Sequence, residues 1–195
     1  MLVGASELLV EDQPGDLVRT IHQTFLRLVK EVAIQRCLSQ SESCEYLPTF
    51  LTCSSAQIME ELKSFFANHP VARGKVTNIS ETTFVVSIKT DVNLLLRVLC
   101  NMVINALEAT DDNGQVKIWL EQGDGALTFF VWNAQEIPPE AAIRIFQRNF
   151  STKKQAGRGI GTYSMKLFGE KILGGRVSFS TSGEDGTCFK FTLPI

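Results

Sequence analysis

Asn101 and Asn105 stand four residues apart in DVNLLLRVLCNMVINALEAT, residues 91–110, the most apolar helix-like stretch of the chain. That spacing puts both amides on one face of a helix. Amides on an otherwise apolar helix need hydrogen-bond partners or a ligand. Two readings follow. Either the pair consists of satisfied core amides, or it is part of a magnesium site, where an asparagine oxygen serves beside water and phosphate oxygens.

A second feature lies downstream. QAGRGIGTYSMK, residues 155–166, places Gly157, Gly159 and Gly161 at alternate positions and then turns helical in pattern. Bare backbone can approach a ligand closely. Successive N–H groups in such a loop form a nest for anions, and the start of the following helix adds its dipole. Lys153, Lys154 and Arg158 would bring positive charge to a phosphate there. An ordinary surface turn with solvated basic residues is the alternative.

Side chains for nucleophilic or metal chemistry are scarce. The histidines are His22 and His69 alone. The cysteines (Cys37, Cys44, Cys53, Cys100 and Cys188) are odd in number and include no CxxC pair. They read as free thiols of a reducing compartment, with a metal or disulfide site as the alternative. A net charge of -2 argues against a nucleic-acid partner. No apolar run is expected to reach membrane-spanning length, and MLVGASELLVEDQPG lacks the basic start of a signal peptide. The expected location is cytoplasmic.

The elements that position these residues follow from periodicity. DLVRTIHQTFLRLVKEVAIQRCLS, residues 16–39, carries an apolar stripe at Val18, Ile21, Phe25, Leu28 and Val32 and predicts a long helix that needs a partner surface. A helix is predicted over 54–68, capped by Ser54 or Ser55 and ended by His69-Pro70. Strand-like runs KVTNIS and TFVVSIK come next, before the helix of 91–110. QVKIWLEQ and LTFFVWN form a hairpin across GDG. PPEAAIRIFQ starts a helix, another covers 161–173, and GGRVSFSTS with GTCFKFTLP closes the chain as a hairpin. The expected fold class is α+β: an antiparallel-rich sheet with helices on one face over 45–195, preceded by a helical segment over 1–44.

Five pieces in this order, NMVINALEA, VWNAQEIP, IFQRNFSTK, GRGIG and GTCFKFTLP, resemble the N box, first glycine box, F box, second glycine box and last box of the ATP-binding domain of sensor histidine kinases, in the GHKL superfamily. The resemblance covers roughly residues 50–195. It implies a Bergerat-type two-layer α/β sandwich with a mixed, mostly antiparallel sheet. It further implies ATP and Mg2+ as cofactors, Asn105 as metal ligand with Asn101 beside it, and Asn133 as reader of adenine. Glu108, Ile137, Phe146, Phe150, Lys153, Gly157, Arg158, Gly159, Ile160, Gly161, Thr162 and Thr187 complete the implied nucleotide site. The implied activity is phosphoryl transfer to a histidine. The implied partners are a response-regulator receiver domain and a second copy of the chain through the N-terminal helix.

Three departures matter. Asn133 stands where the family's aspartate accepts a hydrogen bond from adenine, and no glycine follows it. Asparagine accepts the same bond more weakly, so nucleotide binding is expected to survive, with its loss as the alternative. Asn101 occupies the place of the glutamate that activates water in the superfamily's ATPases. An amide has no useful basicity, which favours transfer to a supplied nucleophile over hydrolysis. Last, His22 is followed by Gln23, Thr24 and Phe25 rather than the acid usual after an acceptor histidine. It is either the phosphate acceptor or a solvated helix residue, with the acceptor then outside this chain. A non-catalytic module of the same fold and a protein-serine kinase of the anti-sigma type remain the competing functions.

Overall fold

The computed structural model describes Val32 and residues 46–81, 84–150 and 160–195. Residues Pro48–Ile195 form one compact unit. Val32 is helical and exposed; the rest of the segment expected over 1–44, including His22, Cys37 and Cys44, lies outside the described residues.

The first helix of this unit, α1 (Ser55–Phe66), begins with a reciprocal cap. Ser54 Oγ accepts from Gln57 N at 3.2 Å, and Gln57 Oε1 accepts from Ser54 N at 2.9 Å. Two orphan N–H groups are thereby satisfied. Ser55, the other expected cap, is instead buried and accepts from Val86 N. His69 caps a single turn at Pro70–Ala72, its Nδ1 accepting from Val71 N at 3.3 Å.

Helix α2 (Val92–Ala109) is capped by buried Asp91, whose Oδ1 accepts from Asn93 N and Leu94 N while Oδ2 accepts from Thr49 N. Leu95, Val98, Leu99, Met102, Val103 and Ala106 recur at three- and four-residue intervals and are buried. With a mean hydropathy of 1.4, α2 is apolar and long enough to cross a membrane, contrary to the expectation that no run would be. Its composition has a local cause: α2 is the central helix, packed against the sheet on one side and against neighbouring helices on others.

The strands β1 (Leu51–Ser54) and β3 (Ser87–Thr90) pair as an antiparallel ribbon. The main sheet contains β2 (Val76–Ile79), β4 (Gln115–Gly123), β5 (Ala126–Asn133), β6 (Arg176–Ser182) and β7 (Gly186–Pro194), in the order β2-β4-β5-β7-β6. β2 runs parallel to β4; all other pairs are antiparallel. α1 packs on α2, and α2 packs on β4 and β5. Along β5 and β7 the inward pairs are Leu127–Leu193, Phe129–Phe191, Val131–Phe189 and Asn133–Thr187. A buried apolar face thus ends in one polar pair. That change of character marks where the core gives way to the site. The opposite face is amphipathic: Trp119 stacks on Phe130 at 4.9 Å, and Lys117 lies over Trp132.

Two expected helices are shorter or wider than the pattern indicated. PPEAAIRIFQ is helical only over α3 (Pro139–Ala142); turns then lead to Asn149, at φ 61. Phe146 leaves the helical path to sit edge-on to Phe179 and Phe189. The helix expected over 161–173 is α-helical over α4 (Gly161–Lys166) and a π-helix from Leu167 to Ile172. Gly169 falls inside the wider turns. A Cβ there would stand 2.9 Å from both Phe191 and Val177, so the backbone itself packs on the sheet.

Candidate functional site

A cavity of about 370 Å³ opens between the C-terminal half of α2, the segment after β5, the turns before residue 150 and the start of α4. Asn101, Asn105, Glu108, Asn133, Ile137, Phe150, Ile160, Gly161, Thr162 and Thr187 all line it. Sequence positions as far apart as 101 and 187 therefore converge on one space. Phe146 does not line it and belongs to the aromatic cluster with Phe179 and Phe189. Lys153, Gly157, Arg158 and Gly159 lie outside the described residues.

The two α2 amides differ. Asn101 Nδ2 donates to Ser164 Oγ at 2.9 Å, and Ser164 Oγ donates to Gly161 O at 2.7 Å. Asn101 thus tethers the first turn of α4 to α2. Asn105 Nδ2 is buried and has no hydrogen-bond partner among the described residues. An unmade bond of this kind costs about 1–3 kcal/mol in the free protein. Natural structures tolerate such a cost where a ligand completes the bond. Gly161 closes the arrangement: a Cβ on it would stand 3.7 Å from Asn101 Oδ1 and 4.0 Å from Asn105 Nδ2.

Asn133, at 3% exposure, donates Nδ2 to Gln135 Oε1 at 3.1 Å. The glycine-free box after it is held by a directional chain of bonds. Ile137 N donates to Thr181 Oγ1 at 2.9 Å, and Thr187 Oγ1 donates to Gln135 O at 2.7 Å. Thr181 and Thr187 hydroxyls are 2.7 Å apart. Since the Thr187 proton is already committed to Gln135 O, Thr181 is the donor between them. Thr187 is therefore a fastening for the pocket wall as well as part of its floor. The close approach of β7 depends on Gly186, at φ +73, where a Cβ would collide with Asn133 O.

Cys53, Cys100 and Cys188 are free. Burial pushes the Cys100 thiol up to about 11, against a smaller pull downward from Arg97, so it stays protonated and a poor nucleophile at neutral pH. Among the described residues, no three His, Cys, Asp or Glu side chains gather as a metal site.

Two contributors were not apparent from residue types. Gln135 lines the cavity two residues after Asn133, inside the box that lacks the family's glycines. Ser164 carried no signal, because a serine in a helix start is common.

A mixed sheet whose inner face ends in a polar pair, facing an amide-bearing central helix across a cavity, defines a domain of the GHKL type. Residues 90–195 match the histidine kinase-, DNA gyrase B-, and HSP90-like ATPase family, and the chain belongs to it. Among curated proteins it resembles the heme sensor protein HssS of Staphylococcus aureus, with 33% identity over 103 residues, 52% of this chain and 22% of HssS. The chain therefore spans only about a fifth of that relative's length. Among solved structures it resembles the nucleotide-free catalytic domain of histidine kinase ThkA, with a TM-score of 0.67 and 28% identity, covering 75% of this chain and 95% of that one. ThkA in complex with the response regulator protein TrrA shares the fold at a TM-score of 0.67 and 23% identity, covering 99% and 56%.

Proposed function

We propose that the domain binds ATP with Mg2+ and passes the γ-phosphate to a histidine, as the catalytic part of a two-component sensor kinase. The observation that carries this reading is Asn105, a buried amide with an unmade hydrogen bond in the wall of a cavity of nucleotide size. Its two ends exchange by rotation, so the same side chain can give an oxygen to a cation or an N–H to a phosphate oxygen. Asn105 would hold the ion with phosphate oxygens and water as the remaining ligands, an arrangement usual for magnesium. The bound ion would neutralise charge on the transferred group. Asn133 faces the base, Thr187 shapes the pocket floor, and Phe150 and Ile137 provide apolar walls. Gly157, Arg158, Gly159 and Lys153 belong, in this reading, to the flap over the phosphates.

Position 101 argues for transfer rather than hydrolysis. An amide cannot act as a general base, and this one is tied to Ser164. The nucleophile must then be supplied. Residues 1–44 would form the dimerisation helices and residues 45–195 the ATP-binding unit, working on the cytoplasmic side where ATP is available. His22 or a histidine elsewhere accepts the phosphate, and a response-regulator receiver domain receives it next, as the ThkA–TrrA complex suggests by analogy.

Incubation with γ-labelled ATP and Mg2+ tests the reaction. The expected product is an acid-labile, alkali-stable label on histidine. Its loss in His22→Gln assigns the acceptor to His22, and its persistence assigns another histidine. Label on serine would contradict the reading.

A further inference from the structure

The base-reading end of the cavity carries two side-chain amides where the family's aspartate would offer a carboxylate. Asn133 Nδ2 donates to Gln135 Oε1 at 3.1 Å. Asn133 Oδ1 and Gln135 Nε2 make no hydrogen bond among the described residues, and both residues line the cavity. The backbone of this segment is fixed independently, because Gln135 O accepts from Thr187 and Ile137 N donates to Thr181. The side-chain amides can therefore turn without moving the wall that carries them.

In the observed orientation the amide atom of Asn133 left without a partner is its oxygen, which would accept a hydrogen bond from a bound base. Rotating both terminal amides by half a turn gives the mirror arrangement. Gln135 Nε2 then donates to Asn133 Oδ1, and Asn133 Nδ2 faces the cavity as a donor. The Asn133–Gln135 bond is conserved in both states, so neither orientation leaves an orphan inside the pair. A carboxylate has no such second state, since it only accepts.

We propose that Asn133 and Gln135 form a two-way reader of the purine C6 substituent, so that the site takes nucleoside triphosphates bearing either an amino group or a carbonyl there. The proposal rests on the nucleotide-binding reading above and specifies its substrate class. Gln135 is a specificity-determining residue in this account. An acceptor at position 135 holds Asn133 with its oxygen inward, and an amide leaves the choice open.

Inosine triphosphate is the probe, because it replaces the C6 amino group of ATP by a carbonyl and is otherwise altered only by the proton this places on N1. Affinities for Mg2+-ATP and Mg2+-inosine triphosphate are measured by calorimetry on the whole chain. The wild type is expected to bind the two within about tenfold of each other. Asn133→Asp is expected to favour ATP by about a hundredfold or more, because two acceptors would face each other in the inosine complex. Gln135→Glu, at a partly buried position, is expected to move the ratio toward ATP while keeping Asn133 itself. Wild-type discrimination as strong as that of Asn133→Asp overturns the proposal, as does a ratio unchanged by Gln135→Glu. Absence of binding by both nucleotides would instead overturn the nucleotide-binding reading.

Discussion

Asn105→Ala is expected to abolish nucleotide-dependent stabilisation while leaving the free protein as stable as before, or more stable by about 1 kcal/mol. The reasoning runs through the unmade bond. In the free domain Asn105 Nδ2 is buried without a partner among the described residues. Alanine removes that desolvated group and loses little packing, because the side chain faces a cavity. A structural amide behaves in the opposite way, since its removal orphans a partner. With magnesium and nucleotide present, the same substitution removes a metal ligand. Phosphoryl transfer is expected to fall by about a hundredfold to a thousandfold, the range typical for loss of one charge-stabilising group. Thermal melts with and without ATP and Mg2+ check the first part. In the wild type, nucleotide at a hundred times Kd should add about 2.7 kcal/mol. Loss of that increment together with a raised or unchanged baseline separates a functional amide from a packing one.

Gly186→Ala is expected to cost about 3 kcal/mol, equivalent to a fall of roughly 6–12 °C in Tm for a domain of this size. Two penalties act at once. The residue sits at φ +73, and its Cβ would collide with Asn133 O and approach Ala134 Cα to 2.8 Å. Because Asn133 O belongs to the strand that carries the base reader, relief by backbone movement would push the pocket wall away from Thr187. Nucleotide affinity should therefore fall along with stability. Gly123→Ala is the internal control. Beyond its own chain neighbours, no atom of the described residues lies within 4 Å of its added Cβ, and the change is expected to stay within about 0.5 kcal/mol of the wild type in a chemical melt.

The elements around the site were legible where periodicity was strong. α2 stood out as the most apolar helix-like stretch of the chain, and the β4–β5 hairpin needed two strand-like runs joined by GDG. Asn101 and Asn105 stood out because polar residues on an apolar helix have few explanations. What lay beyond reach depended on contacts distant in sequence. Asn101 meets Ser164 across 63 positions, a bond that neither residue type announces. Thr181, Thr187 and Gln135 O form a chain that fastens the glycine-free segment to β6 and β7, and threonine in a strand is too common to signal it. The helix begun by Pro139 stops after one turn although its sequence suits a longer one, because Phe146 gains more from packing on Phe179 and Phe189. The widening at Leu167–Ile172 likewise reflects the sheet beneath Gly169 rather than local propensity.

The metal position gives the most direct measurement. Mn2+ can replace Mg2+ in the nucleotide complex, and its unpaired electrons broaden nearby proton resonances. With ATP present, Mn2+ is expected to broaden the Asn105 side-chain amide and the Gly161 N–H, and to spare the Trp119 indole on the far face of the sheet. Broadening that ignores Asn105, or that is the same with and without ATP, would contradict a nucleotide-borne ion held at the unpaired amide of α2.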